Sequence, residues 1–212
     1  MKMTIYDLDG TLLARSTYTP FLLFAARRLA PWRLSLAPVW IVLMAAHKAG
    51  LIGRTALKHA GMRLLVGKPL PERLEAVAVQ FAASRISDLQ PGARAAMEHD
   101  RQEGRMVVIA TAAYAFYARH IAIGLAVEHL VASEWQADGV RQLNCYGPEK
   151  LARVERWLVE QGRGQVALRF YSDSFADAPL LDRADEAFFV TRNPRKAVLA
   201  RARGWQVVDF SR

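Results

Sequence analysis

Two aspartates separated by one leucine stand close to the start of the chain. Asp7 and Asp9 follow a short apolar segment, in "MKMTIYDLDGTLL", and Gly10 comes directly after them. Side chains two residues apart on a strand point to the same face, so both carboxylates would share one side of the strand end. Like charges held that close are costly unless a cation or a proton joins them. An ordinary strand-end turn is the alternative, since Asp and Gly are common turn residues.

Other polar residues follow predicted strands further along the chain. Thr111 ends the strand-like "RMVVIAT", and Asp173 comes directly after "QVALRFYS". Lys150 lies in the first turn of the helix predicted before that second strand. In an open parallel sheet, ligands bind outside the carboxyl ends of the strands. We therefore expect these groups to converge at one edge of a sheet.

The spacing of apolar residues predicts the elements that would position these groups. A buried strand at 3–7 is followed by consecutive helices from about 16 to 88, interrupted at 30–32, 48–53 and 67–71. Strands at 105–111, 129–135, 165–172, 186–190 and 205–210 then alternate with helices at 93–103, 114–123, 148–161 and 194–203, with a turn at Asp138 and Gly139.

This alternation predicts an α/β fold with a parallel sheet covered by helices on both faces. The helical block at 16–88 is inserted just after the first strand. We expect a core formed by residues 1–15 and 89–212 and a helical cap formed by residues 16–88.

Four short segments carry a family resemblance. They are "DLDGT" (7–11), "IAT" (109–111), "CYGPEK" (145–150) and "YSDSFADAPLL" (171–181), in that order. Together they resemble the four motifs of the haloacid dehalogenase superfamily of phosphatases, which implies a Rossmann-like core. The helical insert resembles the cap of the phosphoserine phosphatase-like subfamily, subfamily IB. The resemblance covers nearly the whole chain.

The resemblance implies a reaction as well as a fold. Asp7 would be the nucleophile and form an aspartyl-phosphate, and Asp9 would protonate the leaving oxygen and later deprotonate water. Mg²⁺ would be the cofactor, held by the carboxylates of Asp7 and Asp173 and the backbone carbonyl of Asp9. Asp177 would hold a metal-bound water or orient Lys150.

The transferred phosphoryl group would need cations and hydrogen-bond donors. The resemblance assigns this task to Thr111, Lys150 and the backbone N–H groups near Gly10 and Ala112. Each assignment has a simpler alternative. Thr111 could be the N-cap of the next helix, Asp173 and Asp177 could cap the short helix that follows them, and Lys150 could be a solvated surface residue.

Charge is distributed unevenly along the chain. The 212 residues include 29 Lys and Arg and 20 Asp and Glu, for a net charge of +9. Residues 11–71 contain no acid and nine basic residues, which are Arg15, Arg27, Arg28, Arg33, Lys48, Arg54, Lys58, Arg63 and Lys68. One segment therefore carries the entire net charge, which implies an anionic partner for it.

An uncharged apolar stretch of 13 residues, "LSLAPVWIVLMAA" (34–46), lies in the same segment. It is too short to span a bilayer, and its basic flanks and tryptophan are typical of an interfacial helix. It could equally form the core of the cap. The hydrophobic, basic cap and the "CYGPEK" run are similar to those of phosphatidylglycerophosphatase C-like members of the same subfamily.

The motifs and the basic cap together indicate two substrate classes. One is the terminal phosphate of a phospholipid headgroup such as phosphatidylglycerophosphate, reached by peripheral contact of the basic cap with an anionic membrane. The other is a small soluble phosphomonoester, such as a sugar phosphate. Phosphoserine itself is disfavoured, because residues 12–24 offer no carboxylate for its ammonium group.

A protein that only binds membranes or nucleic acids through its basic segment is a third hypothesis. The sequence contains no recognisable nucleic-acid-binding motif, which argues against a nucleic-acid partner.

The single cysteine, Cys145, excludes an intramolecular disulfide and suits a reducing compartment. With no signal peptide and no run of about 18 apolar residues, we expect a cytoplasmic protein, with peripheral membrane contact left open. The sequence does not determine the oligomeric state.

Overall fold

A six-stranded parallel sheet forms the centre of the molecule. The computed structural model describes residues 1–135, 143–163 and 165–212. The strands are β1 (Lys2–Tyr6), β2 (Met106–Tyr114), β3 (His129–Ser133), β4 (Ala167–Ser172), β5 (Glu186–Val190) and β6 (Gln206–Val208). Their order is β3-β2-β1-β4-β5-β6, and every neighbouring pair is parallel. The predicted α/β class is confirmed.

Helices cover both faces of this sheet. After the insert they are α5 (Pro91–Gln102), α6 (Ala115–Gly124), α7 (Pro148–Glu160), α8 (Ala178–Arg183) and α9 (Pro194–Ala202). Strand β1 lies between β2 and β4, and its residues from Met3 to Tyr6 are all buried. A central strand covered on both faces is apolar at nearly every position, which explains why Thr4 is the one polar residue between Met3 and Tyr6.

Between β1 and α5 the chain is helical. This part contains α1 (Tyr18–Leu29), α2 (Ala37–Lys48), α3 (Arg54–Gly61) and α4 (Pro71–Arg85). Short helical turns follow α1, α3 and α4, at Pro31–Leu36, Met62–Val66 and Ile86–Asp88 respectively. The interruptions predicted at 30–32, 48–53 and 67–71 fall at the ends of these elements, because proline and glycine end or restart helices there. No helix in the described ranges is long and apolar enough to cross a membrane.

The inserted helices share a hydrophobic core with the rest of the molecule. Phe21 of α1 stacks on Tyr117 of α6 with ring centroids 4.8 Å apart, and Phe81 of α4 meets the same tyrosine edge to face. All three side chains are buried. Helices α4 and α6 are also joined at the surface, where Glu75 accepts hydrogen bonds from Arg119 and His120. The insert is therefore anchored by a continuous apolar interface.

Strand β2 is longer than the sequence predicts. It continues three residues beyond Thr111 to Tyr114, and its pairing with β3 shifts register between Ala110 and Tyr114. The N-cap of α6 is consequently Tyr114, so the alternative role of Thr111 as a helix cap is wrong. Strands β3 and β6 are shorter than predicted, and the turn expected at 138–139 lies outside the described residues.

Candidate active site

The carboxyl ends of three neighbouring strands meet at one edge of the sheet. Asp7 follows β1, Asp173 follows β4, and Thr111 lies in the last part of β2. Because β1 pairs with both β2 and β4, residues distant in sequence come together here. The N–H of Asp7 donates to the carbonyl of Tyr171 at 2.9 Å, which fixes the start of the Asp7 loop against β4.

A buried lysine joins two of the predicted acids. The Nζ of Lys150 donates to Oδ1 of Asp7 at 2.9 Å and to Oδ2 of Asp177 at 2.6 Å. Lys150 and Asp177 are each 1% exposed, and Ser172 adds a hydrogen bond to Asp177 at 2.8 Å. Lys150 is therefore not a solvated surface residue. Asp177 contacts Lys150, as one of the two roles expected for it requires.

Burial and charge pairing shift the pKa values of Asp7 and Lys150. Burial raises the pKa of Asp7 to about 7, opposed by Lys150 and reinforced by the charge of Asp177. Burial alone would lower the pKa of Lys150, but the carboxylates of Asp7 and Asp177 outweigh it and hold the pKa above its ordinary value. The lysine therefore stays charged, and its charge opposes the rise in the pKa of Asp7 without cancelling it.

Gly10 and Thr11 hold the Asp173 loop against the first loop. Gly10 has φ +84°, and a Cβ there would lie 2.5 Å from the Oδ2 of Asp173. Only glycine permits both this backbone conformation and this close approach. The N–H of Asp173 donates to Oγ1 of Thr11 at 3.0 Å. Sequence reasoning assigned no role to Thr11, although its position inside "DLDGT" was a signal.

Asp9 lies on the side of the site that faces the inserted helices. Its Oδ1 accepts a hydrogen bond from the N–H of Thr17 at 2.9 Å, and burial raises its pKa above the ordinary value. Asp9 lines a cavity of about 280 Å³ together with Tyr18, Trp40 and Lys58 of the insert. The Asp9 carboxyl therefore borders a cavity that the inserted helices help to form.

Thr111 and Ala112 lie next to this cavity at the end of β2. Thr111 is buried, and its Oγ1 accepts a hydrogen bond from the N–H of Ala113 at 3.0 Å, which leaves the hydroxyl proton free to be donated. The carbonyl of Ala112 accepts hydrogen bonds from Nζ of Lys58 and from Oγ of Ser133, at 2.5 and 2.9 Å.

Lys58 is a buried cation that sequence reasoning counted only as part of the net charge. Its Nζ donates to the carbonyl of Ala112 and, at 2.7 Å, to Oδ1 of Asn144. Among the described residues, no carboxylate lies within ion-pair distance of it, and burial lowers its pKa to about 7. The sequence did contain a signal for this burial. Lys58 directly follows the apolar Leu57 in the middle of a helical segment.

The donor set fits a magnesium ion. In the described part of the chain, no group of three or more carboxylate, imidazole or thiol side chains could hold a metal by itself. Mg²⁺ does not need such a group, because it binds through one or two carboxylates and keeps several waters. The Oδ1 atom of Asp177 is buried and has no hydrogen-bond partner among the described residues, which is the state expected of an acceptor for a metal-bound water.

Comparisons with known proteins agree with this geometry. Residues 4–182 match the model of the family described as haloacid dehalogenase-like hydrolase. A probable phosphatase from Mycobacterium tuberculosis is 29% identical over 114 residues, which are 51% of this chain and 40% of the relative. The chain spans about half or less of the length of the curated relatives it matches.

Two solved structures are similar over nearly the whole chain. A Bordetella pertussis protein of unknown function is 26% identical, with a TM-score of 0.86 over 99% of this chain and 98% of its own. A phosphoserine phosphohydrolase-like protein from Francisella tularensis shares the fold, with 14% identity and a TM-score of 0.63 over 98% of this chain and 95% of its own. With its sheet order, its strand-end acids and the match over residues 4–182, the chain belongs to the haloacid dehalogenase-like hydrolase family.

Proposed function

We propose that this hydrolase is a magnesium-dependent phosphomonoesterase in which Asp7 attacks phosphorus. The observation that carries the proposal is the arrangement of Asp7, Lys150 and Asp177, in which one oxygen of Asp7 is held by a buried cation. Lys150 binds Oδ1 of Asp7, so Oδ2 is the oxygen available for attack. A carboxylate oriented in this way is suited to covalent catalysis.

The reaction has two halves. In the first, Oδ2 of Asp7 forms a bond to phosphorus, the bond from phosphorus to the ester oxygen breaks, and Asp9 gives its proton to that oxygen. In the second, Asp9 takes a proton from water, the water oxygen attacks phosphorus, and the bond to Asp7 breaks to release inorganic phosphate. The raised pKa of Asp9 suits an acid that must hold a proton until the first step.

A metal ion and hydrogen-bond donors of the protein would together stabilise the negative charge of the phosphoryl group. Asp7, Asp173 and the backbone carbonyl of Asp9 would hold Mg²⁺, which when bound neutralises phosphoryl oxygens. Lys150, the hydroxyl of Thr111 and the N–H groups near Gly10 and Ala112 would donate to the other phosphoryl oxygens. The proposal assigns Asp177 to orienting Lys150 and to a metal-bound water.

We assign residues 16–88 to a cap that selects the substrate, and residues 1–15 and 89–212 to the catalytic core. The cap resembles that of subfamily IB, and a phospholipid headgroup phosphate such as that of phosphatidylglycerophosphate is the substrate we favour. The absence of acids from residues 11–71 supports an anionic membrane as the partner. The small cavity beside Asp9 favours a soluble phosphomonoester as the second candidate.

The Asp9→Asn variant tests the two-step reaction. Loss of the general acid and base should lower the turnover of an alkyl phosphate by about 10² to 10⁴-fold. A nitrophenyl ester has a leaving group that needs no proton, so its first half-reaction should survive. The second half-reaction should not, because the base is missing. We expect a burst of nitrophenol equal to the enzyme concentration, followed by slow turnover.

Wild-type enzyme supplies the control, since its nitrophenol release should be linear and should require added Mg²⁺ after treatment with a chelator. Equal losses on the alkyl and nitrophenyl esters, with no burst, would contradict the role of Asp9 and the covalent intermediate together.

The Lys58→Met variant tests whether Lys58 contacts the leaving group. A buried cation with no carboxylate at ion-pair distance among the described residues should bind an anionic leaving group, so KM for 3-phosphoglycerate should rise about ten- to a hundredfold in the variant. KM for nitrophenyl phosphate should not change. Because its pKa is about 7, Lys58 loses its charge above that pH. KM of the wild type for 3-phosphoglycerate should therefore rise with pH through 7, and that of the variant should not.

Lys48→Met is the matched control, because Lys48 is an exposed lysine of the same insert. If both variants change KM for both esters alike, the effect of Lys58 is structural and does not reflect contact with the leaving group.

A further inference from the structure

Helix α2 exposes an unusual amount of apolar surface. Eleven of the twelve residues of "APVWIVLMAAHK" are at least partly exposed, and only Trp40 is buried. The side chains of Ile41 and Val42 are 61% and 66% exposed. Trp40 and Met44, one turn apart, line the cavity beside Asp9 instead. One side of the helix therefore faces the candidate active site, and Ile41 and Val42 face away from the protein.

The apolar exposure continues on both flanks of the helix. Trp32, in the helical turn that precedes α2, is 64% exposed, and Leu51, just after its end, is 81% exposed. Isolated apolar residues on a surface are ordinary, but several on one element mark an interaction site. We call Trp32, Ile41, Val42 and Leu51 the outer apolar face.

Basic residues flank this face in the sequence. Within the described ranges, none of the nine Lys and Arg residues of segment 11–71 forms an ion pair with a carboxylate. The guanidinium of Arg33 stacks on Trp32, 4.7 Å from its ring centroid, and Lys48 ends α2 in an exposed position. The face therefore combines exposed aliphatic and indole groups with positive charge.

We propose that the outer apolar face docks on the surface of an anionic lipid bilayer. Aliphatic and indole side chains would enter the boundary between headgroups and acyl chains, and exposed basic residues such as Lys48 would contact anionic headgroups. With twelve residues, α2 is about 18 Å long and lies on the bilayer without crossing its apolar core of about 30 Å.

Other occupants fit the face less well. Two copies meeting through it would bring two acid-free basic segments together, and like charges repel. Nucleic acid would satisfy the cations but would leave Ile41 and Val42 without an apolar partner. A bilayer with anionic headgroups satisfies both the apolar and the charged groups.

The docking has a consequence for the substrate, and this consequence rests on the proposed function. Because the inner side of α2 lines the cavity beside Asp9, a docked α2 holds that cavity at the membrane surface. The helix would then lie between the bilayer and the cavity, so a phosphomonoester anchored by acyl chains would extend its headgroup past α2 to reach Asp7. Docking would raise the local concentration of a lipid substrate and would not affect a soluble one.

Flotation with vesicles tests the proposal. The wild-type chain should float with vesicles that contain phosphatidylglycerol, should not float with phosphatidylcholine alone, and should be released by high salt. The double variant Ile41→Ser/Val42→Ser should bind about tenfold or more weakly. Val198→Ser/Leu199→Ser is the matched control, because these two residues of α9 are 64% and 58% exposed.

A second pair of variants tests the contribution of charge. Lys48→Gln should weaken binding to the vesicles, and Arg195→Gln in α9 should not.

Hydrolysis of a soluble nitrophenyl ester, measured with all variants, separates the two proposals. Ester hydrolysis without flotation of the wild type overturns the docking and leaves the phosphatase intact. Flotation without hydrolysis of any ester supports the docking and overturns the phosphatase. If the control pair loses as much binding as the α2 pair, or if light scattering shows a dimer that only the α2 variant dissociates, the docking is also overturned.

Discussion

The Asp7→Asn variant is expected to lose phosphate release by about 10⁴-fold or more, while remaining at least as stable as the wild type. Activity falls because an amide oxygen cannot form the bond to phosphorus, and removal of a covalent nucleophile has effects of this size. The side chain keeps its shape, and its amide oxygen can still accept a hydrogen bond from Lys150.

Stability should respond in the opposite direction because of burial. The pKa of Asp7 rises from 3.8 to about 7 in the folded protein. A carboxyl whose pKa is higher in the folded than in the unfolded protein destabilises the fold when it is ionised. The loss in free energy of unfolding begins above the unfolded pKa and reaches its full size above about pH 7. Asparagine stays neutral and avoids the cost. The thermal midpoint of Asp7→Asn should therefore match or exceed that of the wild type at pH 8, and the difference should shrink towards pH 4.

Thermal unfolding in a chelator, beside assays of phosphate release, measures both effects. Glu160→Gln, which neutralises an exposed acid on α7, should change neither. Retention of more than about a hundredth of the wild-type activity would exclude Asp7 as the nucleophile, because asparagine cannot replace a carboxylate that attacks phosphorus. A large drop in the midpoint would instead show that Asp7 is a structural ion-pair partner.

The Lys150→Met variant is expected to lower the free energy of unfolding by about 3–5 kcal/mol, the usual result of removing one partner from a buried ion pair. Asp7 and Asp177 would be left close together in the interior with no cation between them. Both acids would take up protons more readily, so the loss of stability should be larger at pH 8 than at pH 5.

Urea unfolding of the metal-free protein measures this loss, and two variants test its cause. Arg156→Gln removes a positive charge from an exposed position of the same helix and should have little effect. The double variant Lys150→Met/Asp177→Asn should recover part of the stability, because it removes one of the two stranded carboxylates. If the double variant is no more stable than Lys150→Met, lost packing and not unpaired charge explains the effect.

Local patterns were sufficient for much of the fold. The apolar strand before Asp7 predicted β1, because this strand is buried on both faces. The alternation of strands and helices after residue 89 predicted the parallel sheet, because helices connect its successive strands. Proline and glycine marked the ends of the inserted helices correctly. The end of β2 was missed, since its extension to Tyr114 depends on a register shift against β3, and pairing between strands leaves no local signal.

The sequence by itself determined the chemical groups of the candidate site. Recognisable motifs contain Asp7, Asp9, Lys150 and Asp173, because each of these residues must follow a strand end or begin a helix at a fixed position.

Tertiary structure decided what these groups contact. The contact of Lys150 with two acids depends on packing between elements far apart in the chain. The same holds for burial of Lys58 beside Ala112 and exposure of Ile41 and Val42. Burial and charge pairing are properties of the assembled fold, and a linear pattern records them only where the local periodicity happens to agree.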